Sequence, residues 1–97
     1  MFIIELTYKV PTEEIDANMD AHIDFLDKYY KSGHFIASGR KEPRDGGLIF
    51  AKAYNKKRLE EILSEDPFKK LGLADYRIIE FKATRNVKGY DDFVGEE

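Results

Sequence analysis

The sequence predicts an α+β domain in which one antiparallel four-stranded sheet carries helices in the order β-α-β-β-α-β. Three observations carry this prediction. Four short stretches read as strands, the first and last of them alternating apolar and polar residues with a period of two, two intervening stretches space their apolar residues by three and four, and the three prolines all fall between these segments. Ninety-seven residues suit one domain. Its core is expected over residues 1–85, with 86–97 as a polar tail.

In the first strand, Phe2, Ile4, Leu6, Tyr8 and Val10 alternate with Ile3, Glu5, Thr7 and Lys9, giving one clearly apolar face that ends at Pro11. Thr12 is a candidate N-cap, and Glu13 and Glu14 follow in the first turn, where the helix dipole favours acidic side chains. One helix is expected from there, with an apolar stripe of Ile15, Met19, Ile23, Leu26 and Tyr30, closed by Gly33. Phe35-Ile36-Ala37-Ser38-Gly39-Arg40 reads as the second strand, and Pro43-Arg44-Asp45-Gly46-Gly47 as a hairpin turn.

The third strand, expected over 48–54, is apolar on both faces, with Leu48, Phe50 and Tyr54 on one and Ile49, Ala51 and Ala53 on the other. Such a strand belongs in the middle of a sheet covered on both sides. Asn55 caps the next helix, which turns Leu59, Ile62 and Leu63 inward. Asp66, Pro67 and Gly72 mark the cap, first residue and terminator of a short further helix. Residues 75–85 alternate again as the fourth strand. In the polar tail, Tyr90, Phe93 and Val94 could dock on a neighbour or fray.

This order is the ferredoxin-like arrangement, with helices on one face of the sheet and the first and third strands at its centre. The second apolar face of the third strand then needs a cover, and the expected one is a second copy of the chain, sheet against sheet. A domain this small leaves much of its surface unburied, which also favours a homodimer.

The totals exclude several classes. With no cysteine, the chain forms no disulfide and no thiolate site, in keeping with a reducing, cytoplasmic setting. A net charge of −3 argues against a nucleic-acid surface, which needs clustered Lys and Arg. Lys56-Lys57-Arg58 and Lys69-Lys70 read as solvated faces. No apolar run approaches the roughly 18 residues of a membrane helix, so no membrane partner is expected. Two histidines without a third ligand make a poor metal site, and the absence of G-x-G-x-x-G and G-K-[ST] removes support for nucleotide cradling; the chain is read as cofactor-free.

Ala21-His22-Ile23, Phe35-Ile36-Ala37-Ser38-Gly39, Pro43-Arg44-Asp45-Gly46-Gly47 and Glu65-Asp66-Pro67-Phe68 followed by Gly72-Leu73 occur here in this order. In these segments, over residues 2–84, the chain resembles the YCII-related (YciI-like) family of small proteins. The resemblance implies a ferredoxin-like fold, a dimeric α+β barrel and a His–Asp site carried onto His22 and Asp66. It also implies cofactor-independent chemistry on ring-derived small molecules, of the dehydrochlorinase or muconolactone-isomerase kind. Two positions depart from the pattern: Met19 stands where many relatives have Arg, and Arg40 where they have Pro. An anion-binding role of that Arg is then absent here or has moved to Arg40 or Arg44.

Each candidate has a plainer reading. His22 lies on or beside the buried stripe and could be a core histidine bonded to a backbone carbonyl. Beside a carboxylate it could instead hold one tautomer and serve as a general base. Asp66 is expected to cap its helix whatever else it does. Ser38 could donate to a substrate oxygen, or simply permit close strand packing, and no elbow motif makes it a nucleophile. Tyr8 could line a pocket, Arg40 could hold a carboxylate, and His34 belongs to a turn. The leading reading is a small lyase or isomerase acting on a small anionic molecule through His22 and Asp66. The alternative is a non-catalytic dimeric module that binds a small molecule or a protein.

Overall fold

The computed structural model describes residues 1–89, so Tyr90, Phe93 and Val94 lie outside the described residues. The elements are β1 (Phe2–Tyr8), α1 (Thr12–Ala17), α2 (Met19–Lys31), β2 (Phe35–Arg40), β3 (Gly46–Ala51), α3 (Lys56–Leu63), α4 (Pro67–Lys70) and β4 (Ala74–Glu80). The sheet order is β2-β3-β1-β4, with every neighbouring pair antiparallel, and β1 and β3 are central. This is the ferredoxin-like α+β fold. Phe2, Ile4 and Leu6 of β1 and Ile49 and Ala51 of β3 are buried in one core with Ile15, Phe25, Leu59, Ile62 and Phe68 from the helices. Each of these side chains except the small Ala51 contributes about 1.5–3 kcal/mol by leaving water.

The single helix expected after Pro11 is two. At Asn18 the side-chain amide donates to the Glu14 carbonyl at 3.0 Å, while the backbone N–H turns to Ile15 instead. This side-chain bond takes the carbonyl that the next helical turn would use, so α1 stops and α2 restarts one residue later. The restart shifts the buried stripe by one position. His22, Phe25 and Tyr29 face the core, while Ile23 and Tyr30 are exposed. The cap of α1 is Pro11 rather than Thr12, which is already helical.

The hairpin also differs from expectation. Gly46 and Gly47 open β3 rather than filling the turn, and neither has positive φ. Glycine is needed at 46 for a close approach: a Cβ there would lie 1.8 Å from the Leu6 carbonyl oxygen of β1. At its other end β3 stops at Ala51, and Tyr54 is exposed. Its second face is only partly covered within one chain, since Leu48 is 38% exposed. Across that outer face Phe50, Ile3 and Ile79 sit in register on β3, β1 and β4.

α3 begins as expected, with the Asn55 side chain accepting the Arg58 N–H at 2.9 Å. β4 ends at Glu80 instead of running to 85. Its partner β1 begins at Phe2, opposite Glu80, and one further bond from the Phe81 N–H to the Met1 carbonyl uses up the pairing. A strand cannot extend past the edge that supplies its hydrogen bonds.

Candidate active site

Asp66 is fully buried although its side chain is polar, and three groups converge on it from three elements. The Phe68 N–H, in the first turn of α4, donates to Oδ1 at 3.0 Å. Nδ1 of His22, on α2, lies 2.8 Å from the same oxygen. The Tyr76 hydroxyl, on β4, donates to Oδ2. As a carboxylate, Asp66 accepts all three bonds, which is how a buried anion is made tolerable. The cap and the contact with His22 are thus made by one side chain at once.

The arrangement favours one tautomer of the imidazole. If Nδ1 donates its proton to the carboxylate, the neutral ring carries its lone pair on Nε2. That nitrogen has no hydrogen-bond partner among the described residues. The ring is clamped as well as bonded, being stacked on Phe68 with centroids 4.0 Å apart and planes 3° from parallel. Phe68 in turn meets Tyr8 edge-on at 6.1 Å.

The loop carrying Asp66 is tied to the helix carrying His22. Glu65 accepts hydrogen bonds from Lys28 Nζ at 2.7 Å and from the Tyr29 hydroxyl at 2.6 Å, both on α2. The Lys28 bond first, then the Tyr29 bond, holds the Glu65 carboxyl below the usual carboxylate range. On the far side of Asp66, burial and then the neighbouring carboxylate push the Tyr76 hydroxyl well above the ordinary tyrosine range. Tyr76 therefore stays a protonated donor.

His22 lines a cavity of about 260 Å³ between α2, the β2–β3 hairpin and the sheet, and Tyr8, Ser38, Arg40 and Arg44 line it too. Its walls include Leu6, Met19, Leu26 and Phe68. All the residues singled out from the sequence, His34 aside, thus gather at one place, with Asp66 behind His22. Ser38 is not free-standing, because its hydroxyl lies 2.5 Å from that of Tyr30. Arg40 has no ion-pair partner among the described residues, whereas Arg44 is bound to Asp16 at 2.5 Å. His34 is half-buried, bonded to Ser32 and edge-on to Tyr29, away from the cavity. Among the described residues no group of three His, Cys, Asp or Glu side chains could hold a metal ion, and no helix is long and apolar enough to cross a membrane.

Two contributors are not among the residues singled out from the sequence. Tyr76 reaches Asp66 from another element, and Phe68 looks like an ordinary core aromatic until its ring is seen lying flat on the imidazole. Only the short spacing from Asp66 hints at the second.

A ferredoxin-like domain with a buried His–carboxylate pair behind a half-apolar cavity is the class that this geometry defines. The chain belongs to the YCII-related domain family, whose sequence model matches residues 1–82. Among solved structures it is similar to 5-chloro-2-hydroxyhydroquinone dehydrochlorinase from Burkholderia phenoliruptrix, in complex with 2,5-dihydroxybenzoquinone. The TM-score is 0.67 and the identity 19%, over 84% of this chain and 94% of that one. This likeness is one of fold. No curated protein matches the chain.

Proposed function

We propose that the protein is a small cofactor-independent enzyme of lyase or isomerase type, in which His22 moves a proton next to a carbonyl of a small anionic molecule. The observation that carries this reading is the 2.8 Å contact between His22 Nδ1 and the buried Asp66 carboxylate at the wall of a cavity. Asp66 fixes the tautomer and orientation of the ring, and Nε2 takes the proton. In an elimination, the C–H electron pair becomes a new double bond as an anionic group leaves. In an isomerisation, the proton returns at another carbon of the same molecule.

Arg40, which lines the cavity and has no ion-pair partner among the described residues, supplies a charge for the anionic group, while Ser38 and Tyr8 offer hydroxyls to oxygens of the substrate. The dehydrochlorinase that shares the fold acts on a chlorinated hydroxyhydroquinone, which makes small hydroxylated ring anions the first substrates to try. The protein acts as a cytoplasmic homodimer, with the outer faces around Ile3, Leu48, Phe50 and Ile79 of two copies packed together. A sedimentation mass of one chain at micromolar concentration overturns the dimer.

The test of the chemistry is a panel of halogenated and hydroxylated quinols, quinones and ring lactones, followed by absorbance with the native protein and with His22→Gln. Turnover of at least one compound, reduced by about 100-fold or more in the variant, is expected. Turnover that survives within about threefold excludes the base role. Binding without turnover, unchanged in the variant, makes the protein a binding module instead.

A further inference from the structure

We infer that Tyr76 is a positioning residue for His22, acting through Asp66. The inference rests on the reading of His22 as the proton-moving group, and it adds a residue from a strand that the His–Asp pair does not include. A carboxylate can turn about its Cβ–Cγ bond, and the distribution of donors helps to hold it in one orientation. Here Oδ1 takes two donors, Phe68 N–H and His22 Nδ1, and Oδ2 has the Tyr76 hydroxyl as its sole donor among the described residues.

Tyr76 sits where it can do this because it lies opposite Leu6 in the β1–β4 register, on the sheet face that packs against the helices. Its ring is steadied from outside by Lys69, whose Nζ stands 4.8 Å from the ring centroid, a cation–π distance. Lys69 belongs to α4, the same short helix that Asp66 caps. The aromatic ring alone would fill this space as phenylalanine does. The hydroxyl is what meets a fully buried oxygen that no other group among the described residues satisfies, and an unpaired buried carboxylate oxygen is unfavourable enough to force a change. Without the hydroxyl, Oδ2 turns to compete for the Phe68 or His22 donor. Either move loosens the imidazole.

The test is Tyr76→Phe in the full chain, read on the ring nitrogens of His22 by long-range proton–nitrogen NMR. The native protein is expected to show one tautomer, protonated at Nδ1, with a slowly exchanging ring N–H. The variant is expected to exchange that proton about tenfold faster or more and to mix tautomers, as loss of a hydrogen bond to a charged group implies. A folded variant with an unchanged ring N–H overturns the inference. If Tyr76→Phe does not fold, 3-fluorotyrosine placed at position 76, a stronger donor, decides: a shift of the His22 ring proton supports the role, and an unmoved resonance overturns it. These readouts need no substrate. If they move while His22→Gln leaves turnover intact, the proposed chemistry fails and the positioning role stands. If both hold, Tyr76→Phe lowers kcat by about tenfold with little change in KM.

Discussion

The imidazole of His22 and the ring of Phe68 are parallel to within 3° and 4.0 Å apart. This stack fixes the plane in which the imidazole can turn, while the bond to Asp66 fixes its direction within that plane. Phe68→Leu keeps most of the buried volume and removes the flat partner. The variant is expected to stay folded and to lose about 1–3 kcal/mol in urea denaturation. A loss below about 0.5 kcal/mol would show that the stack contributes nothing beyond filling space.

Two substitutions at Asp66 separate its tasks. Asp66→Asn keeps an oxygen for the Phe68 N–H and the imidazole, so stability falls by only about 1 kcal/mol. Asp66→Ala also leaves buried donors unpaired, and about 2–4 kcal/mol of destabilisation is expected. Under the proposed base role of His22, turnover is expected to fall in both, because neither replacement side chain can stand behind the ring as a carboxylate. Equal stability losses for the two variants would contradict this division.

The raised Tyr76 hydroxyl makes a prediction at alkaline pH. In the unfolded chain a tyrosine ionises near its ordinary value of 10.0, while in the folded chain burial and Asp66 keep the hydroxyl protonated. A group whose folded value is raised contributes stability that is fully present below the unfolded value and is lost as pH rises beyond it. Stability is therefore expected to fall above about pH 10. Tyr76→Phe should flatten that fall, as measured by thermal denaturation across the alkaline range.

Gly46→Ala tests the close approach of β3 to β1. A methyl group 1.8 Å from the Leu6 oxygen can be relieved only by moving backbone. A loss of about 3 kcal/mol or more is expected, against little effect for the same change at Gly39, where a Cβ meets nothing within 4 Å.

Much of this architecture is legible in the chain because its signals are local. The alternation in Phe2–Tyr8, the cap at Asn55 and the Asp66-Pro67 start of α4 each follow from neighbours within a few residues. The failures are where distant or competing contacts decide. Asn18 breaks the first helix because its side chain bids for a carbonyl that helical periodicity assigns to the backbone. That shift of one residue brings His22 fully onto the buried face in place of Ile23. Where β4 ends depends on where β1 begins, at the other end of the chain. Tyr76 meets Asp66 only after the sheet has formed, so no spacing near either residue announces it.

Because one oxygen of Asp66 holds both the Phe68 amide and the imidazole, the start of a four-residue helix and the alignment of His22 stand or fall together. The Phe68 amide thus becomes a reporter that needs no knowledge of the substrate. Its hydrogen-exchange protection should track the integrity of the pair, falling in Asp66→Ala and rising when a ligand in the cavity presses the imidazole into place. A ligand that left that one amide unchanged would be lodged somewhere other than against His22.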